Sequence, residues 1–134
     1  MTKQSSSGLL DTSVIIDLEN VDPGLLPTRI GVSAISFAEL AAGPAAAHDD
    51  AERARRQDRL QRLEATFEPI PFSLEAARAY GRIYSAVLAS GRQPRRRFAD
   101  LLIAATALAE DLPLVTRNPK DFVGLEKLID VIAV

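Results

Sequence analysis

Short apolar runs alternate along this chain with longer stretches in which apolar residues recur every three to four positions. A run at residues 8–10 breaks at the polar trio Asp11-Thr12-Ser13, and residues 14–20 then read as a short helix stopped before Pro23 and Gly24. Residues 30–33 predict a second strand, and about 36–42 a helix ended by Gly43-Pro44. Charge dominates residues 48–66. Glu52 and Arg56, like Asp58 and Arg62, stand four apart, while Leu60, Leu63 and Phe67 mark a single apolar stripe. That is the pattern of a surface helix.

Residues 67–72 predict a brief third strand, with Pro69 and Pro71 placing it at an edge. Ser73 opens a long helix whose Ala77, Tyr80, Tyr84, Val87 and Leu88 share a face, and Gly91 follows as its C-cap. Residues 98–109 are almost wholly apolar, which predicts a central, buried helix. A fourth strand at 112–116, a turn of helix at 120–123 and a last strand at 128–134 complete the chain. There is no internal repeat and no linker. Strands alternating with helices imply an α/β fold, a parallel sheet flanked by helices.

Composition narrows this further. With 134 residues the chain makes one domain, expected over 8–134 behind a flexible polar tail at 1–7. No cysteine is present, which excludes a disulfide framework, a thiolate metal site and a Cys nucleophile. The stretch GLLDTSVII is broken by Asp11 and too short for a signal or membrane segment, so the expectation is a cytoplasmic protein with no membrane partner. A net charge of −2 gives no global attraction to nucleic acid, leaving that role to a local basic patch.

The candidate chemistry is acidic. Asp11, Glu39, Asp100 and Asp121 each follow an apolar run or fall in the first turns of a predicted helix. Carboxylates without Cys, and with His48 as the only histidine, suit a hard divalent cation rather than zinc. Each acid also has an ordinary structural use. Asp11, Thr12 and Ser13 are good N-cap residues, Ser36-x-x-Glu39 has the form of a capping box, Asp100 suits a helix dipole, and Asn118 can cap the turn that holds Asp121. Taken together they point elsewhere. In an open parallel sheet the loops after the strands' carboxyl ends form the ligand crevice, and Asp11 and the 116–121 loop belong there. Two carboxylates about 5 Å apart repel by about 3 kcal/mol at an effective dielectric of about 20, so a cluster calls for a cation or for protonation. No G-x-S-x-G elbow, Walker A loop or G-x-G-x-x-G fingerprint competes. Asp17 reads as a surface charge. The run GRQPRRR, with Arg92, Arg95, Arg96 and Arg97, is either a solvated loop or a phosphate-steering patch.

These motifs resemble a known family. LLDTSVIID with Asp11, SAISFAELAAG with Glu39, and FADLLIAATALAEDLPLVTRNPKDF with Asp100 and Asp121 are similar, in order and spacing, to the motifs of PIN-domain proteins of the VapC toxin type. The resemblance covers nearly the whole chain from Leu9. It implies a three-layer α/β/α sandwich around a mainly parallel sheet of four to five strands. It also implies a Mg²⁺- or Mn²⁺-dependent endoribonuclease, a homodimer held inactive in a hetero-oligomer with a VapB-type antitoxin. Asp11 and Asp100 match the most dependable metal ligands of that family, and Glu39 matches its second acid. Some relatives carry an acid directly after the Thr-Arg pair, where this chain has Asn118; Asp121, in the N-x-x-D-F form of other relatives, takes the fourth position. Thr12, Thr116 and Asn118 become supporting polar groups, and Arg95, Arg96 and Arg97 candidate RNA contacts. The rival readings are a non-enzymatic interaction module and a housekeeping PIN nuclease of RNA processing.

Overall fold

The computed structural model describes residues 6–134; most of the expected tail, residues 1–5, lies outside them. Four strands form one fully parallel sheet: β1 (Ser7–Leu10), β2 (Arg29–Val32), β3 (Leu114–Thr116) and β4 (Val131–Ala133), in the order β2-β1-β3-β4. In register, Leu9 lies opposite Gly31 on one side and Leu114 on the other. Five helices flank this sheet: α1 (Thr12–Ile16), α2 (Ala34–Ala42), α3 (Asp50–Thr66), α4 (Leu74–Ala89) and α5 (Phe98–Ala109).

Strand alternation divides the core in two. Leu9 and Leu114 point to one face, where they pack with Ile83 and Val87 of α4, Ile103 and Ala107 of α5, and Phe122. Leu10 and Val115, one residue on, point to the other face, against Val14 and Ile15 of α1, Leu40 of α2 and Leu63 of α3. Both faces of the central strands are therefore covered, which makes the three-layer sandwich and explains why these strands are continuously apolar. The expected α/β architecture is present, with four strands.

Local chemistry sets most of the boundaries. Ser33 accepts the Ser36 N–H at 3.1 Å and Ser73 the Ala76 N–H at 3.1 Å, starting α2 and α4. At the end of α4, Gly91 has φ +81, and the Arg92 N–H reaches the Val87 carbonyl while the Gly91 N–H reaches Leu88. This is a Schellman ending, and the positive φ explains the glycine.

Four expectations need correction. Residues 67–72 form no strand; they make one parallel bridge, Ser33 to Ile70, because Pro69 and Pro71 have no N–H and only Ile70 can both donate and accept. Helix α2 starts at Ala34 under a Ser33 cap, so the Ser36-x-x-Glu39 capping box does not form. The first helix is shorter than expected and ends at Ile16, passing into a 3₁₀ turn, Leu18–Asn20. The last strand is only Val131–Ala133; Leu125 and Ile129 before it are buried in turns.

Candidate metal centre

Strand order reverses between β1 and β3, since β1 leads on to β2 on one side and β3 to β4 on the other. A crevice opens beyond the carboxyl ends of such a pair. Asp11 follows the last residue of β1 and is fixed there by its N–H, which donates to the Val115 carbonyl at 2.8 Å. Although it occupies the N-cap position of α1, its side chain caps nothing. Instead Oδ2 accepts from the Ser13 hydroxyl at 2.7 Å and the Thr116 hydroxyl at 2.9 Å.

The other oxygen of Asp11 is the notable atom. Oδ1 is buried without a hydrogen-bond partner, in a residue only 3 % exposed. A buried charged oxygen with nothing opposite it costs several kcal/mol at worst and calls for an explanation. A hard cation bound there supplies one.

Hydroxyl groups hold the neighbouring atoms in place. Ser13 and Thr116 each spend their one proton on Asp11, and their oxygens accept the Arg117 N–H at 3.1 Å and the Asn118 N–H at 2.9 Å. The loop after β3 is thereby tied to the Asp11 carboxylate. Thr12 turns the other way and donates to Glu39 Oε1 at 2.6 Å. Having spent its proton, it receives one from Ser36 at 2.8 Å. Glu39, on α2, is thus oriented through one oxygen while Oε2 stays free.

Asp100 lies in the first turn of α5, where Arg97 occupies the N-cap position without a side-chain cap. Burial, and after it the charges of Asp11, Asp121 and Glu39, push its pKa up to about 6; Arg97 pulls the other way. Those three acids are the other three of the predicted four, so the fold does bring their fields together. Their oxygens do not close a shell: among the described residues, no three acidic side chains stand close enough to hold an ion by themselves. The donors present are all oxygen, which suits a hard divalent cation whose shell water or phosphate would complete.

Asp121 sits in a 3₁₀ turn, Pro119–Phe122, and its Oδ1 forms an ion pair with Arg97 Nη1 at 2.8 Å. Asn118 caps that turn with no side-chain bond; only its backbone N–H takes part, through Thr116. Arg95, Arg96 and Arg97 belong to a 3₁₀ turn, Pro94–Arg97, leading into α5, and they do not act alike. Arg96 and Arg97 line a crevice beside Asp121, together with Arg92, whereas Arg95 lies near Tyr80 and pulls down a phenol pKa that burial raises.

Three contributors escaped the sequence reading. Ser13, a cap residue by its position in sequence, bridges Asp11 to the Arg117 N–H. Ser36 was read as a box residue and instead orients Thr12. Arg117 pairs with Asp17 at 2.9 Å and donates to the Val134 carbonyl at 3.1 Å, so Asp17 is a tether for the β3 loop rather than a loose surface charge. The only available signal was the unbroken D-T-S run, which offers three hydroxyl or carboxylate groups at one strand end.

The fields of four acids thus meet near the switch point of a parallel sheet covered on both faces. The PIN domain family profile matches residues 8–127, and the chain belongs to the PIN-domain family, in its VapC-type branch. It is 36% identical over 129 residues to ribonuclease VapC5 of Mycobacterium tuberculosis, covering 94% of this chain and 93% of that protein. Ribonuclease VapC8 of the same species is 39% identical over 101 residues, 75% of this chain and 89% of the relative. Among solved structures, the VapBC-5 toxin–antitoxin member from Mycobacterium tuberculosis superposes with a TM-score of 0.85 at 35% identity, covering 96% of this chain and 99% of that one.

Proposed function

We propose that this protein is a Mg²⁺- or Mn²⁺-dependent endoribonuclease, the toxin half of a toxin–antitoxin pair, restrained by a VapB-type antitoxin. The observation that carries the reading is the Asp11 carboxylate, with one oxygen pinned by two hydroxyls and the other buried and free. Names of the relatives support ribonuclease activity, and the VapBC complexes among the structural neighbours support an antitoxin partner. A VapC-type homodimer acting in the cytoplasm completes the proposal, with residues 8–134 as its one domain; among the described residues no helix is long and apolar enough to cross a membrane.

Asp11 Oδ1 and Asp100 would hold the cation, with Glu39 and Asp121 at its margins. When bound, it supplies neutralising charge for a scissile phosphate and makes an attacking water more acidic. Glu39 Oε2, free while Thr12 holds Oε1, would serve as the general base. Asp100, with a pKa near 6, is ionised and ligand-competent at neutral pH and loses that competence as pH falls. Arg95, Arg96 and Arg97 supply local positive charge for the RNA backbone on a chain whose net charge is −2.

The test is cleavage of a mixed single-stranded RNA by purified protein, with Mg²⁺ or Mn²⁺ and with EDTA. Cleavage should need the cation and vanish in Asp11→Asn and Asp100→Asn. Undiminished cleavage by folded Asp11→Asn protein would refute the assignment.

A further inference from the structure

Arg97 and Asp121 are paired at 2.8 Å, with Asp121 only 16% exposed and Arg97 48%. The pair forms one wall of a crevice of about 260 Å³ between the end of α4, the Pro94–Arg97 turn and the start of α5. Its other polar lining residues are Arg92, Gln93 and Arg96, and Leu101 and Val123 line it with apolar surface. Arg92 is steadied by donating Nη1 to the Lys120 carbonyl at 2.7 Å, a bond that leaves its charge uncompensated. Arg96 has no ion-pair partner among the described residues. Three guanidinium groups and one carboxylate therefore line a space large enough for a phosphate group. The excess positive charge favours an anion there, and the planar forks of arginine suit phosphate oxygens.

Resting on the nuclease reading above, we propose that this crevice seats an RNA phosphate flanking the scissile bond, and that Arg97 is a latch between the RNA and metal sites. Without RNA, Arg97 occupies Asp121 and competes with a cation for that carboxylate. A phosphate seated between Arg92 and Arg96 draws Arg97 off, and Asp121 is released toward Asp100 and the cation. Metal and RNA then promote each other's binding, since coupling between two sites is reciprocal. Arg97 is a positioning residue in this scheme; it acts on the cation through Asp121.

The coupling has a bounded size. A half-exposed carboxylate–arginine pair contributes little, so its release should change cation affinity by about two- to fivefold. The experiment measures Mn²⁺ affinity of the full chain from the signal of free Mn²⁺ in electron paramagnetic resonance. It is run with and without a short 2′-O-methyl single-stranded RNA, shown intact by electrophoresis, and corrected for Mn²⁺ bound by that RNA alone. In wild type the RNA should tighten Mn²⁺ by about two- to fivefold. Arg97→Gln should bind Mn²⁺ that much more tightly from the outset, and the RNA should add nothing. Arg96→Gln, removing the same charge without the latch, should weaken RNA binding and leave RNA-free Mn²⁺ affinity unchanged. Equal coupling in wild type and Arg97→Gln, or equal tightening by Arg96→Gln and Arg97→Gln, would overturn the latch alone. A wild-type protein that binds no Mn²⁺ would instead sink the metal-centre reading beneath it.

Discussion

Replacing Asp100 by Asn should stabilise the metal-free protein at neutral pH and leave it nearly unchanged in acid. Asp100 has its pKa pushed from 3.8 to about 6, chiefly by burial and then by the charges of Asp11, Asp121 and Glu39. The folded state therefore binds a proton more readily than the unfolded chain. Where the folded pKa is raised, the group's contribution is fully present below the unfolded value and is lost as pH rises through the folded one. At about 1.36 kcal/mol per unit the whole shift would be worth about 3 kcal/mol. Asp100 is only partly buried and solvent screens its neighbours, so about 1–2 kcal/mol is the realistic figure. In a domain of this size that is a rise in Tm of about 3–8 °C for the Asn variant near neutrality. The assay is urea unfolding of wild type and Asp100→Asn in EDTA at about pH 4 and about pH 7.5. Subtracting the two proteins at each pH cancels the titrating groups that are not coupled to Asp100, leaving its own shift and that of the acids beside it. An equal gain at both pH values would locate the effect in packing. A loss at neutral pH would mean that the ionised carboxylate is not strained at all, and the electrostatic account of the site would fail.

Millimolar Mg²⁺ or Mn²⁺ should raise the thermal midpoint of wild type, by about 2.7 kcal/mol of stability at a hundredfold excess over the dissociation constant, and should leave the Asp11→Asn, Asp100→Asn double variant unmoved in the same melting assay. Asp121→Asn should slow RNA cleavage strongly and Asn118→Ala only slightly, because the Asp121 charge reaches Asp100 while Asn118 contributes its backbone; single-turnover rates that rank the other way would place Asn118 at the centre. Induced expression without the antitoxin should arrest growth, and folded Asp100→Ala protein, checked by circular dichroism, should not. Arg95→Gln with Arg96→Gln should flatten the salt dependence of RNA affinity by up to about 1.4 log–log units, at about 0.7 per lost contact, and an unchanged slope would put these arginines out of reach of RNA.

Which parts of this were legible depends on the range of the interaction that fixes them. Strands at 8–10 and 30–33 and the helix at 98–109 were readable because packing on the sheet leaves a local signature, mostly apolar runs broken only at residues such as Ser33, Asp100 and Thr106. Residues 67–72 misled for a specific reason: Phe67, Ile70 and Phe72 have strand composition, but the prolines that flank Ile70 leave it a single bridge to Ser33. The four acids were legible as residues, yet their relation was not. Nothing local says that Asp11 would ignore the helix it precedes and take its donors from Ser13 and Thr116, the latter 105 positions away. The Arg97–Asp121 pair is likewise a product of the fold, since charge patterning along the chain places Arg97 beside Asp100 and gives no hint of the carboxylate it binds.

The hydroxyls explain how a carboxylate can be buried at this strand end. Helix capping, the ordinary use for Asp11, would have spent its carboxylate on a backbone N–H and left nothing to bind a ligand. Two hydroxyl donors on Oδ2 stabilise the charge enough for the residue to be almost wholly buried, and they fix the rotamer so that Oδ1 is left free. Glu39 follows the same rule, with Thr12 on one oxygen and the other open. Because Ser13 and Thr116 also receive the N–H groups of Arg117 and Asn118, the direction of the Asp11 carboxylate is tied to the path of the loop carrying Asp121. A Thr116→Val change would remove a donor from Asp11 and an acceptor from Asn118 together, so its damage to the site should exceed that of one lost hydrogen bond of about 1 kcal/mol. At both Asp11 and Glu39 a hydroxyl holds one carboxylate oxygen and leaves the other without a protein partner, which is not how a helix cap uses an acid.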